Sequence, residues 1–386
     1  MDAARGFAQG EFEHRLSRAQ KLMDEAGFDA LLLTSEPDVR YFTGFLTRFW
    51  ESPTRPWFVI VPLSGKPVAV IPQIGAHLMG TTWVEDIRTW AAPDMADDGV
   101  SLLGDTLLSL AGEKGCIGLP MGLETHLRMP LADFFRVRDS LPRMTFTDAA
   151  PLLRALQCVK SEAEIDKIRA ACAIGSAAFD MVSEFAHEGV PLSTIFRRFQ
   201  MALLEKGADW VPYLAGGAGL DGYGDVISPA GDQPLMAGDV LMLDTGAVFD
   251  GYFCDFDRNW AIAHASEAAS SAYDVLFGAT EAGFAAARPG ETAASIYHAM
   301  DAVISVAGGD GGGGRLGHGL GMRLTEWPSL IPADHTVLEP GMVLTLEPGL
   351  EVSPGIIQVH EENIVIRENG AEWLTRRAAE QLPVIG

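Results

Sequence analysis

Apolar positions in the first half of the chain alternate between helical and strand spacing. "EFEHRLSRAQKLMDEAGF" repeats them three and four apart up to Gly27, which predicts an amphipathic helix with a glycine stop. "DALLLTS" is a short apolar strand, and "PWFVIVP" and "PVAVIP" bracket "LSGK" as the arms of a hairpin would. "CIGLP" and "MTFTDAAPLL" read as later strands of the same α/β layer. From Arg154 the spacing turns helical over the long stretch "RALQCVKSEAEIDKIRAACAIGSAAFDMVSEFA", where Ser161 and Glu164 form a capping-box signal. The change of pattern predicts a boundary near residue 153, with domains at 1–152 and 153–386.

The second half contains a rough internal echo. Helical spacing from 160 to 205 leads to the apolar hairpin "GDVLMLDTGAVFDGYFCDFDRNWAI", which carries Asp244 and Asp255 on opposite arms. Helical spacing from 268 to 307 leads to "GMVLTLEPGLEVSPGIIQVHEENIVI", with Glu347 and Glu361. Two such units predict a pseudo-symmetric α+β domain. With the first turn centred on Phe249-Asp250, equal counting sets Asp244 opposite Asp255. With Ser353–Gly355 as a three-residue turn, it sets Glu347 opposite Glu361.

Composition narrows the possibilities. The net charge of −24 should repel nucleic acid and anionic membrane surfaces. No run of about 18 apolar residues predicts a spanning helix, and the N-terminus lacks the basic start and apolar block of a signal peptide. Four dispersed cysteines without a CxxC pair suit free thiols in a reducing cytoplasm.

Facing carboxylates in apolar hairpins need compensation. Opposed side chains on paired strands have Cβ atoms about 4.5–5.5 Å apart, so like charges there destabilise the sheet. Buried unpaired charge costs several kcal/mol. Divalent metals relieve both pairs, because carboxylates can bridge two ions about 3.5–4 Å apart. A nitrogen ligand is available in "RLGHGLGM", where glycines let the backbone crowd close to His318.

These residues resemble a known family. Asp244 in "LDTGA", Asp255 in "GYFCDFDRNW", His318 in "GHGLG", Glu347 in "TLEPGL" and Glu361 in "HEENIVI" follow the ligand order Asp, Asp, His, Glu, Glu of the pita-bread metallopeptidases. That family includes methionine aminopeptidase, aminopeptidase P, prolidase and creatinase-like enzymes. The N-terminal half is similar to the creatinase and prolidase branch. The resemblance implies a creatinase-like α/β domain followed by a pita-bread catalytic domain. It also implies two divalent ions (Mn, Fe, Co or Zn), a metal-bridging hydroxide, and Glu347 as the group that accepts and passes on the proton. A short-peptide or small-amide substrate and a homodimer follow from the same resemblance. Glu362 adjoins Glu361, and strand neighbours point to opposite faces, so one of the two faces the metals. The family pattern favours Glu361.

Two departures bear on activity. Prolidase-like enzymes carry a carbonyl-steadying histidine seven residues after the ligand histidine, where this chain has Thr325. They carry another some seventeen residues before the first aspartate, where "DVISPAG" has none. Either Thr325 or Arg323 takes over the polarising role, or the scaffold serves other chemistry. The alternatives are a creatinase-like C–N hydrolase, a dimethylsulfoniopropionate-lyase-like enzyme ("EWP" is shared with that lyase), and a metal-binding pseudo-enzyme. Asp257, where threonine is usual, is a sixth ligand, a hydrogen-bond acceptor behind the ligands, a partner for a cationic substrate, or an ion-pair member. Arg48, Arg55 and Trp57 in "LTRFWESPTRPWF" either reach substrate across a dimer or anchor its interface. Trp210 and Tyr213 are expected to wall the pocket.

Overall fold

A computed structural model describes residues 4–51, 56–309 and 314–386. Packing divides the chain into two units, one of residues 5–157 and one of residues 158–386 with Ala4.

The N-terminal unit is built on a six-stranded mixed sheet. Its strands are β1 (Ala30–Leu33), β2 (Phe58–Pro62), β3 (Val68–Pro72), β4 (Asp86–Trp90), β5 (Cys116–Leu119) and β6 (Thr145–Asp148), ordered β4-β3-β2-β1-β5-β6. Continuous apolar runs in β1–β3 are explained by burial along their whole length. Leu103 and Leu107 of the helix Val100–Ala111, with Phe134 and Val137 of Leu131–Ser140, pack on Leu32, Ile60, Val70 and Ile117. Strand β4 lies on the sheet edge and is only partly covered, so its "DIRTW" lacks the apolar run that marks its neighbours. The expected strand "MTFTDAAPLL" is half right. It ends at Asp148, whose carboxylate accepts the Ala150 N–H at 2.9 Å, and a helix Ala150–Cys158 follows.

The expected long helix after Arg154 is interrupted. Val159 forms a bridge to Met342, and a new helix begins at Glu162 behind a complete Ser161–Glu164 capping box. Two local helices, Glu162–Phe179 and Leu192–Glu205, lead into β7 (Trp210–Leu220), β8 (Asp239–Phe249), β9 (Tyr252–Phe253) and β10 (Phe256–Ile262). Strands β10, β8 and β7 are adjacent and antiparallel, with Val384–Ile385 added beside β10. A second pair of helices, Glu267–Ala286 and Ala293–Val306, leads into the second sheet. It comprises β11 (His318–Gly319), β12 (Glu326–Ser329), β13 (Val343–Leu346), the hairpin β14 (Gly349–Ser353) with β15 (Ile356–Val359), then β16 (Glu362–Arg367) and β17 (Gly370–Trp373). Leu276, Ile296 and Met300 of the helices form one core with Leu344, Leu346 and Ile364. The helix-pair-then-sheet order thus occurs twice, as in the pseudo-symmetric α+β domain expected. No helix among the described residues is long and apolar enough to cross a membrane.

Register corrects one expectation. The first hairpin turns on Asp250-Gly251, both left-handed at φ 47° and 80°, as a two-residue turn matching strand twist requires. Phe249 therefore pairs with Tyr252, and Asp244 faces Asp257 rather than Asp255. The second hairpin also has a tighter turn than expected. Ser353 pairs with Ile356 across Pro354-Gly355, and the register shifts between Glu351 and Ser353. The shift absorbs the difference. Leu346 opposite Glu362 and Gly349 opposite Val359 bracket Glu347 and Glu361 at matching positions.

Candidate metal centre

All but one of the candidate ligands sit where a strand begins or ends. Asp244 lies within β8. Asp255 falls in the gap between β9 and β10, and its backbone bonds sideways to a side chain. Its N–H donates to Asn363 Oδ1 at 3.0 Å, and its carbonyl accepts from Asn363 Nδ2. His318 starts β11, Glu347 follows β13, and Glu361 precedes β16.

The side chains converge. His318 Nε2 lies 3.4 Å from Asp255 Oδ2 and 3.7 Å from Glu347 Oε2. Potential ligand atoms of Asp255, His318 and Glu361 all lie within 4.8 Å of one another, and all three residues are buried. Nδ1 of His318 is 2.8 Å from the Gly319 carbonyl. A carbonyl only accepts, so Nδ1 donates, and Nε2 is the nitrogen turned to the carboxylates. The Tyr213 hydroxyl, from the facing strand β7, shares a hydrogen bond with Asp244.

Electrostatics at this cluster are unfavourable without a cation. Burial first, then Asp255 and Glu347, hold Asp244 well above the usual carboxylate range. Burial followed by Asp255, Asp244, Glu347 and Asp257 does the same to Glu361. Asp255 is also raised by burial, with Arg315 opposing, and Glu347 is raised by burial against the pull of His318. Asp244 Oδ1 and Glu361 Oε1 are buried and have no hydrogen-bond partner among the described residues. Orphaned carboxylate oxygens in one buried acidic cluster, beside an oriented imidazole, fit hard divalent cations.

Neighbouring acids do other work. Glu362 is fully buried on the opposite side of the strand. It accepts from Arg258 at 3.1 Å and from the Ala378 N–H at 2.9 Å, and its pKa is lowered mainly by Arg258 against the burial that raises it. Asp257, 1% exposed, accepts the Glu361 N–H at 2.8 Å and an Asn259 N–H at 3.3 Å. It therefore holds the Glu361 backbone in place. Glu326 of "EWP" pairs with buried Lys160 at 2.9 Å and accepts the Arg323 N–H at 3.1 Å, which fixes the loop after His318.

Not every residue singled out from sequence joins this cluster. Thr325 accepts from Arg315 Nη2 at 3.3 Å, and Arg315 Nε lies 3.5 Å from Glu347 Oε1. Arg323 is half-buried in the same loop, and Trp210 stands opposite Val248 at the start of β7. Arg48 and Trp57 belong to the N-terminal unit. Arg48 pairs with Glu51 at 3.1 Å, and Trp57, 2% exposed, packs among Phe45, Phe49 and Trp50. Arg55 lies outside the described residues. Sequence reasoning missed Arg315 and Asn363. Arg315 sits only three residues before His318, a spacing that could have drawn attention to it.

A buried acid–imidazole cluster set between two helix-and-sheet units, preceded by a separate α/β unit, defines a metal-dependent hydrolase. The comparisons give the family. Residues 166–368 match metallopeptidase family M24, and residues 15–159 match the creatinase/prolidase N-terminal domain. The chain belongs to metallopeptidase family M24. It is 28% identical over 371 residues to a protein described as "Probable dipeptidase PepE" from Mycobacterium tuberculosis, covering 95% of each chain. It is 26% identical to an Xaa-Pro dipeptidase from Pyrococcus furiosus, over 96% of this chain and 100% of the other. The crystal structure of dipeptidase PepE from Mycobacterium ulcerans superposes with a TM-score of 0.85 at 27% identity, over 98% of this chain and 99% of that one.

Proposed function

We propose that this chain is a dinuclear metal-dependent peptidase that hydrolyses an Xaa-Pro or similar amide bond in a short peptide. The observation that carries the reading is the convergence of Asp255, His318 and Glu361 within 4.8 Å, with buried carboxylate oxygens of Asp244 and Glu361 left unbonded. In this reading Asp244, Asp255, His318, Glu347 and Glu361 hold two divalent ions, with Mn the first candidate. The ions would supply an activated water and draw electrons from the substrate carbonyl.

The chain's own groups then divide the remaining work. Glu347 is partly open, one-fifth exposed, and its carboxyl is raised by burial, which suits a group that takes a proton from water and returns it to the leaving nitrogen. Tyr213 steadies Asp244 through its hydroxyl, and Asp257 steadies Glu361 through its backbone N–H. The names of the Mycobacterium tuberculosis and Pyrococcus furiosus relatives support a dipeptide substrate. Thr325 in place of a histidine keeps a second reading open, cleavage of a small non-peptide C–N bond.

The test is direct. Protein stripped with chelator and reloaded with Mn, Co or Zn is assayed on Xaa-Pro dipeptides and on small non-peptide C–N substrates, such as simple amides and the guanidino acid creatine. Metal-dependent release of proline supports the peptidase. Turnover of the small non-peptide substrates alone moves the assignment to the second reading. Absence of both leaves a metal-binding protein without hydrolase activity.

A further inference from the structure

This chain has neither of the two carbonyl-handling histidines that its resemblance to prolidase-like enzymes implies, which leaves a gap in the proposed amide hydrolysis. An amide carbonyl gains negative charge on its oxygen as water adds, and a preorganised donor at that point is usually worth more than any other single contact. Among the described residues, the position seven after His318 brings a different donor. Thr325 does not stand alone there, because its hydroxyl accepts from Arg315 Nη2 at 3.3 Å. The same guanidinium places Nε 3.5 Å from Glu347 Oε1. Arg315 is about one-third exposed, against 3% for His318 and 6% for Asp255. The guanidinium therefore touches the partly open acid of the cluster, Glu347, while part of its side chain stays exposed.

Placement of this group is controlled from behind. The loop from Gly321 to Glu326 is closed by the Gly321 N–H to Arg323 carbonyl bond and by the Glu326 carboxylate accepting the Arg323 N–H at 3.1 Å. Glu326 is anchored in turn by buried Lys160 at 2.9 Å. A fixed loop fixes Thr325, and Thr325 orients the guanidinium. Arginine presents five N–H donors in a rigid fork, so bonds to Thr325 and Glu347 leave donors available. Charge compensation of Glu347 by bound cations would weaken its hold on Arg315, while the bond to neutral Thr325 would persist.

We propose that Arg315, oriented by Thr325, is a catalytic residue that donates to the scissile carbonyl oxygen in place of the missing histidine. The proposal rests on the amide-hydrolase reading above. As the water oxygen bonds to the carbonyl carbon, the C=O electron pair moves onto the oxygen that Arg315 contacts, and the water proton passes to Glu347. When the C–N bond breaks, that pair reforms the carbonyl, and the nitrogen leaves with the proton from Glu347.

The experiment compares wild type, Arg315→Met and Arg315→Lys as full-length, Mn-loaded proteins on the best-cleaved Xaa-Pro dipeptide. Calorimetry of Mn binding and of a phosphinic dipeptide analogue runs alongside. For Arg315→Met, kcat should fall about 10²–10³-fold with KM within about threefold. Affinity for the tetrahedral phosphinate should fall by a comparable factor, while Mn stoichiometry stays at the wild-type value. Arg315→Lys should recover part of the loss, and added guanidinium should partly rescue Arg315→Met. A near-wild-type kcat overturns the proposal. So does a rise in KM alone, which would mark Arg315 as a binder of the substrate carboxylate. Loss of Mn from the variant would make the residue part of the metal centre's support and also overturns it. An active wild type with an unaffected variant defeats this inference alone, whereas an inactive, fully loaded wild type defeats it together with the function it rests on.

Discussion

His360 is 1% exposed, held edge-on against Tyr273 and Phe277 at ring distances of 5.7 and 5.8 Å. Neither ring nitrogen has a hydrogen-bond partner among the described residues. Burial, opposed by Glu362 and assisted by Arg258 and Arg377, lowers its pKa to about 4. The unfolded chain binds a proton near pH 6.5 that the folded chain refuses until about pH 4. The contribution of a neutral His360 is therefore full above pH 6.5 and declines as pH falls through that window, by up to about 3 kcal/mol. Urea melts at pH 7 and pH 4.5 should show His360→Leu losing less stability than wild type across the interval. Equal losses would mean that this ring does not set the acid sensitivity. At the same scale, legibility followed the surroundings of each residue. Acids flanked by apolar strand residues announced themselves in sequence, because burial of such a charge needs a reason. Arg315 did not, because an arginine in a glycine-rich loop looks like any solvated arginine until the loop is placed. In the structure the strand's two faces separate Glu361 from Glu362. Glu362 turns to Arg258, and Glu361 faces the acid cluster.

Elements carried the fold more reliably than they carried register. Helix starts with a side-chain cap and continuous apolar strands were readable, whereas edge strand β4 and the helix break at Val159–Ser161 depended on partners distant in sequence. The hairpin of Asp244 shows how a small error propagates. Moving the turn one residue along, to Asp250-Gly251, puts Asp257 rather than Asp255 across from Asp244. Asp257 then becomes a support for Glu361, a role that sequence spacing had left among several. The loop after His318 depends on one buried pair, Lys160 with Glu326, whose side chains are 2% and 6% exposed. Removing only the cation strands a buried carboxylate, so Lys160→Met should cost about 3–5 kcal/mol in thermal or denaturant unfolding. Lys160→Met combined with Glu326→Leu should recover part of that loss. A cost for the single variant below about 1 kcal/mol would contradict the role of this pair in holding the loop.

Across the whole molecule, 52 acidic residues against 28 basic ones make the surface a poor partner for nucleic acid, yet Asp244, Asp255, Asp257 and Glu361 are buried together, with partly open Glu347 beside them. Raised carboxyl pKa values have a defined sign. The folded, metal-free protein binds protons more tightly than the unfolded chain, so the cluster favours folding below the ordinary carboxylate range. That contribution disappears as pH rises through the raised values. Cations bound at the cluster would reverse that penalty and make the centre most stable where the protein would work. Family membership fixes the general chemistry, and the acids, the imidazole and Arg315 are where we propose that it occurs on this chain. The most direct measurement is anomalous diffraction at the Mn absorption edge, from crystals of chelator-stripped protein reloaded with Mn. Two peaks among Asp244, Asp255, His318, Glu347 and Glu361 are expected. A single ion bound elsewhere, or none, would contradict the dinuclear centre and the peptidase built on it.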